Sequence, residues 1–247
     1  MPRTARKKSS TKIYHVILRG INRQTIFDDK EDNEAFLQTL FDCKKLCGFE
    51  LYGYCLMGNH VHLLLKEGLE ELERVFKRIG ARYVYWYNWK YKRCGHLFQD
   101  RYKSEPVEDD SYFVTVLRYI HQNPIKAGIC KELDEYEWSS YNDYLDKRKT
   151  IDFEFGLEII GEEEFVKVMK QNSDDKCLEN EEKSKRLTDE ELIVMIEKRF
   201  RMKAKMVQNE PRTTMEYLLK EILEIEGVST RQLSRVTGVS NNVIWRL

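Results

Sequence analysis

At 247 residues the chain has room for one sizeable domain and a smaller second one, and with 41% hydrophobic and 34% charged residues it lacks any apolar run near the ~20 residues that cross a bilayer. Residues 1–12 are basic without an apolar core, which argues against a secretory signal and makes the cytoplasm the expected location. The net charge is zero, yet residues 1–104 carry 20 Lys and Arg against 12 Asp and Glu while residues 105–247 carry 22 against 30; a polyanion is expected at the first half, the alternative being a solvated charged face.

Residues 12–19 (KIYHVILR) are rich in β-branched and aromatic side chains and predict a strand that ends at Gly20. Residues 32–46 place Ala35, Phe36, Leu40 and Phe41 on a 3.6-residue period and predict a helix stopped by Gly48. Residues 49–57 and 60–66 predict two strands joined by a Gly58-Asn59 turn. Over residues 69–92 a long helix is expected, with Leu72, Val75, Phe76, Ile79, Tyr83 and Tyr87 on one side and a basic outer face of Arg74, Lys77, Arg78 and Lys90. A short strand at 104–107 precedes a helix opened by Asp109 and Asp110, and Pro124 should end it near Asn123 by disfavouring a helical conformation before it. This order predicts an α+β fold, an antiparallel sheet carrying helices, over residues 1–145.

Residues 146–185 read as a helical appendage and a linker, the stretch QNSDDKCLENEEKSK at 171–185 having no aromatic residue. From residue 186 a small all-α domain is expected. Thr188 and Glu191 form a capping box ahead of a helix through Phe200, and a second helix at 214–226 is stopped by Gly227. Two short helices opened by Ser229 and Ser240 flank a Thr237-Gly238 turn.

His60 and His62 stand two apart on a predicted strand, so both imidazoles project from one face with Cα atoms about 6.5–7 Å apart, suited to one shared metal ion. Val61, Leu63 and Leu65 point the other way into a core. On the helix that follows Asp110, Tyr119 and Asn123 lie one turn apart on the same side, a phenol and an amide oxygen able to serve as nucleophile and metal ligand; the alternative is a Tyr119 packed at the core edge with its hydroxyl bonded locally. His15, His96 and His121 lack ligand spacing to the pair, and His121 is turned about 200° from Tyr119. The six cysteines are scattered and read as reduced thiols rather than a disulfide framework or a zinc site.

Together, YHVILRGINRQTIF (14–27), GNHVHLLL (58–65), FQDRY (98–102), RYIHQNPIKAG (118–128) and WSSYNDY (138–144) resemble the REP-associated tyrosine transposases, a single-tyrosine branch of the HUH nucleases. The resemblance covers residues 1–145 and implies a ferredoxin-like HUH domain. It implies that His60 and His62, flanking Val61, bind a divalent metal, Mg²⁺ or Mn²⁺; that Tyr119 is the nucleophile; and that Asn123 is a third ligand, with the adjacent Gln122 as rival although its side chain points about 100° away on a regular helix. The substrate implied is single-stranded DNA, hairpin-forming repeats or mobile-element ends, cut to leave a 5′-phosphotyrosine link. Such chemistry explains the residues: only about one free tyrosine in a thousand is ionised at pH 7, and a divalent cation offsets the charge of a phosphodiester that repels anions.

Arg19, Asn22, Arg23, Arg101 and Lys103 are candidate phosphate contacts, and Tyr52, Tyr54, Trp86 and Trp89 candidate base-stacking rings or core residues. The stretch from 215 resembles the helix-turn-helix end of bacterial replication initiators, which implies that Asn241, Asn242 and Arg246 meet duplex DNA; a packing or dimerisation module is the alternative. The expected assembly is a monomer or homodimer. Against a metal-dependent DNA transesterase stand two other readings, a catalytically inactive DNA-binding regulator derived from a transposase, and a metallohydrolase whose histidines activate water.

Overall fold

The computed structural model describes residues 6–99, 101–171, 177, 187–225 and 228–245. The chain divides into two compact units, residues 1–178 and 179–247. In the first, the order is β1 (Ile13–Arg19), α1 (Lys30–Cys47), β2 (Glu50–Met57), β3 (His60–Lys66), α2 (Leu72–Lys90), β4 (Lys103–Val107) and α3 (Asp110–Lys126). The strands form one antiparallel sheet in the order β2-β3-β1-β4, an α+β architecture with the ferredoxin-like βαββαβ succession.

Alternation along the strands decides what each face holds. Val61, Leu63 and Leu65 pair with Leu18, Val16 and Tyr14, and all six are buried on the face covered by α1, whose Phe41 ring meets Tyr54. Helix α2 packs on α1 through Phe36 and Tyr83, and its buried residues are the predicted stripe of Leu72, Val75, Phe76, Ile79, Tyr83 and Tyr87. The opposite face carries His60, His62 and Leu64 beside Arg19, Ile17 and His15, and α3 lies across it. Gly53, opposite Leu64, allows this close approach: a Cβ there would stand 2.7 Å from Leu117 Cδ1 of α3.

Three expectations change. Helix α3 runs three residues past Asn123, through Pro124 to Lys126. Pro124 sits in the last turn, where its missing N–H costs one bond, and the turn is kept by Ala127 N donating to Asn123 O and Ile129 N to Pro124 O, each at 2.9 Å. Second, the outer face of α2 is less basic than its spacing implied. Lys90 Nζ is held by Asp29, Glu31 and Asp32 at 2.7–2.9 Å, and Arg78 pairs with Glu70 at 2.8 Å, so Arg74 and Lys77 remain the exposed cations of that set. Helix α2 also begins at Leu72 rather than 69, leaving Leu69 exposed.

Residues after α3 pack on the sheet rather than hanging from it. Helices α4 (Tyr141–Leu145), α5 (Phe153–Ile160) and α6 (Phe165–Met169) join the first unit. The chain at 138–140 runs along the outer edge of β2: Leu56 N donates to Trp138 O, Ser140 N to Tyr54 O, and Tyr54 N to Ser140 Oγ, all at 2.9 Å. Farther on, Leu51 N donates to Asp152 at 2.6 Å, and the Phe155 ring stacks on Tyr52. Of the expected linker at 171–185, only Gln171 and Cys177 are described.

In the second unit, α7 (Asp189–Phe200) starts at the Thr188–Glu191 capping box, followed by a 3₁₀ segment (Ala204–Asn209), α8 (Arg212–Leu223), α9 (Thr230–Thr237) and α10 (Asn241–Ile244). Leu192, Val207, Leu219, Leu233 and Ile244 share its core. Gly238 takes the left-handed conformation (φ 80°) that turns α9 toward α10. The Gly227 stop and Arg246 lie outside the described residues. Among the described residues no helix is long and apolar enough to cross a membrane, and all six cysteines are free thiols.

Candidate active site

His60 is half-buried and His62 fully buried, with ring centroids 4.8 Å apart and planes at 81°. Both rings are oriented through Nδ1. His60 Nδ1 donates to Asn59 Oδ1 at 2.6 Å, and Asn59 in turn donates through Nδ2 to the Arg23 carbonyl at 3.2 Å. His62 Nδ1 lies 3.1 Å from His15 Nε2. A neutral imidazole that gives its proton through Nδ1 offers the lone pair of Nε2, and the Nε2 atoms of both rings are shielded from solvent.

Helix α3 brings Tyr119 to this pair. Its ring is 5% exposed and meets His62 edge-on at 5.7 Å between centroids and His15 at 5.9 Å. Lys126 Nζ stands 5.3 Å from the Tyr119 ring centre, placing a positive charge beside the phenol. One turn on, Asn123 is buried and donates through Nδ2 to the Tyr119 carbonyl at 2.8 Å, which leaves its Oδ1 as the side chain's acceptor. Gln122 is committed elsewhere: Nε2 donates to the carbonyls of Met169 and Gln171, each at 2.8 Å, fastening the end of α6. Among the described residues no three His, Cys, Asp or Glu side chains form a metal cluster. Two imidazoles, of which His60 has its tautomer set by Asn59 Oδ1, and an amide oxygen could together offer a mixed N/O donor set of the kind that suits Mn²⁺ or Mg²⁺.

Residues 8–123 match the family described as "Transposase IS200 like", a stretch that holds both histidines, Tyr119 and Asn123. Over this stretch, just under half of the chain, the sequence is similar to the IS200-like transposases. A solved structure of a REP-associated tyrosine transposase bound to a REP hairpin is similar over 60% of this chain and 87% of that one, at 15% identity and a TM-score of 0.53, which extends the shared fold beyond the matched stretch. A Deinococcus radiodurans R1 protein assigned as a transposase covers 49% of this chain and 96% of its own, at 20% identity and a TM-score of 0.35. No curated protein matches this sequence.

The first unit distributes the candidate DNA contacts unevenly. Arg19 is half-buried and pairs across the sheet with His60. Asn22 and Arg23 are exposed on a tight turn with φ of 52° and 59°, and Gly20 N bonds Asn59 O at 2.9 Å, so this turn is braced against the residue that orients His60. Arg101 and Lys103 are exposed, and Lys103 pairs with Ile17 on the histidine side of β4. Tyr52 and Tyr54 are buried and unable to stack on bases; Trp86 stacks on Tyr83, and Trp89 stays open to solvent. In the second unit Asn242 is exposed and Asn241 half-buried on α10.

Sequence reading missed His15, Glu105, Tyr112 and Asn59. His15 is fully buried, stacked on His62 at 5.4 Å, and its Nδ1 faces Glu105 at 3.6 Å across β1 and β4. Glu105 accepts a short hydrogen bond from the Tyr112 hydroxyl, and burial together with Glu105 pushes that phenol's pKa up. The signal available was alternation: His15, Ile17 and Arg19 share a face, but pairing β1 with β3 rather than β2 is a tertiary fact. His121 turns to the other side of α3, as its helical angle implied. It is enclosed by Tyr141, Tyr144 and Phe165, 2.9 Å from Ser140 Oγ, and burial lowers its pKa to about 3.

Proposed function

We propose that the protein is a single-stranded DNA endonuclease and strand transferase in which Tyr119 attacks a phosphodiester, probed best on hairpin-forming DNA. The observation that carries this is the packing of the Tyr119 ring against His62, with His60 beside it on the same strand face. In this reading His60, His62 and Asn123 hold Mg²⁺ or Mn²⁺, which when bound neutralises a phosphate oxygen and orients the group for in-line attack. The phenol oxygen of Tyr119 forms a bond to phosphorus and loses its proton. The 3′-oxygen leaves and takes up a proton, giving a 5′-phosphotyrosine link and a free 3′-hydroxyl. The phosphoester bond is exchanged, not hydrolysed, so a second 3′-hydroxyl reverses the step without ATP. Lys126 adds positive charge beside the phenol, and Arg19, Asn22, Arg23, Arg101 and Lys103 bind flanking phosphates.

The solved neighbour bound to a REP hairpin supports hairpin DNA as the first substrate to try. In the second unit, the α9–turn–α10 pair supports a helix-turn-helix reading in which Asn241, Asn242 and Arg246 meet duplex DNA. The deciding experiment incubates the protein with labelled hairpin DNA and Mn²⁺. A protein–DNA species that survives boiling in detergent, needs the metal and is absent in Tyr119→Phe is expected. Binding without any adduct would make the chain a DNA-binding regulator, and cleavage that persists in Tyr119→Phe would make it a hydrolase.

A further inference from the structure

We infer that His15 and Glu105 are positioning residues that fix the tautomer of His62, so that its Nε2 is the nitrogen offered to a metal. The inference rests on the reading of His60 and His62 as ligands and adds the device that prepares one of them. His15 Nε2 and His62 Nδ1 face each other at 3.1 Å, both rings fully buried. Two neutral imidazoles so placed share one proton, and there are two ways to do it. If His15 donates, its own Nδ1 is bare and its lone pair faces the Glu105 carboxylate 3.6 Å away, while His62 carries its proton on Nε2 and is unfit to coordinate. If His62 donates, its Nε2 is bare, and His15 carries a proton on Nδ1 that points at the carboxylate.

The second arrangement replaces a repulsion between lone pair and carboxylate with an attraction, in a site where no other group among the described residues hydrogen-bonds His15 Nδ1. Glu105 therefore selects the tautomer of His62 through His15. The Tyr112 hydroxyl donates to Glu105 and holds that carboxylate in place; burial and the carboxylate itself keep the phenol protonated. The relay crosses the sheet along its register: Glu105 on β4 is directly opposite His15 on β1, and His15 is one diagonal step from His62 on β3. It ends beside Tyr119, whose ring touches both imidazoles, and starts from Tyr112 two turns earlier on the same helix. Metal-binding histidines are commonly backed by a carboxylate; here the carboxylate acts through a second imidazole.

The test uses the full chain. In the metal-free protein, ¹⁵N-histidine NMR should find His62 protonated on Nδ1, and His15→Phe, which keeps a flat buried ring, should turn it into a mixture of tautomers. Calorimetric titration with Mn²⁺ alone should give binding about 10–100-fold weaker in His15→Phe, with Glu105→Gln changed in the same direction. Should His15→Phe fail to unfold cooperatively, Glu105→Gln, at a partly exposed position, decides by both readouts. His62 protonated on Nε2 in the wild type, or unchanged Mn²⁺ affinity in both variants, overturns the inference. Mn²⁺ binding that survives His60→Ala and His62→Ala instead overturns the metal reading, and the tautomer measurement still decides the relay.

Discussion

His121 should make the first unit sensitive to mild acid. Its imidazole is wholly enclosed between α3 and the helices that follow, which lowers its pKa from 6.5 to about 3. Below pH 6.5 the unfolded chain binds a proton at this site and the folded chain does not, so stability is fully present above that value and is lost as the pH falls toward the folded pKa. At pH 5.0, 1.5 units below the unfolded value, the loss from this one residue is about 2 kcal/mol, since each unit is worth about 1.4 kcal/mol. His121→Gln, which keeps an amide within reach of Ser140 Oγ, lowers stability at neutral pH but removes the proton-binding difference. Urea unfolding followed by tryptophan fluorescence at pH 7.5 and 5.0 compares the two proteins, and Trp86, Trp89 and Trp138 all report the first unit. The wild type should lose about 2 kcal/mol more than the variant between these pH values. Equal losses would mean that the folded protein accepts the proton without penalty, and that enclosure does not keep this ring neutral.

Three further outcomes separate roles within the same helix and turn. Gln122→Ala strips two hydrogen bonds from the end of α6 and should cost about 2 kcal/mol in urea unfolding while leaving Mn²⁺ affinity unchanged; Asn123→Ala should do the reverse, weakening Mn²⁺ binding about tenfold or more. Gly53→Ala drives a methyl into Leu117 and should destabilise by about 1–3 kcal/mol, with partial recovery in a Gly53→Ala/Leu117→Val double variant measured by the same unfolding curves. Arg23→Ala should weaken hairpin binding at low salt and reduce the slope of log affinity against log salt by about one phosphate contact, read from binding titrations across salt concentrations.

Much of the sheet domain was legible because its elements are long and strictly periodic. The stripe from Leu72 to Tyr87 and the alternation of His60 and His62 with Val61 and Leu63 need no tertiary information, and the order of strands and helices then limits the fold to a few α+β arrangements. The helical angle also separated Gln122 from Asn123 correctly, since Gln122 does turn to α6. What stayed hidden depends on contacts distant in sequence. Lys90 looks solvent-facing on its own helix but meets the acidic first turn of α1, and the helix end at Pro124 was placed too early because neighbouring amides and the Asn123 side chain keep the last turn. His15 was passed over for the same reason: it meets His62 and Glu105 only once β1 is laid against β3 and β4.

The strip of backbone at 138–140 bears on how small this domain can be made. The family-matched stretch ends at 123, before any of the groups that bond Leu51, Tyr54 and Leu56 along their outer rim. A fragment cut there would bare a row of amides and carbonyls on the edge strand β2 together with Tyr52 and His121, an invitation to stick edge to edge with its own copies. The family-matched stretch is thus expected not to stand alone, and the shortest autonomous version should carry the residues through α6 that close its side.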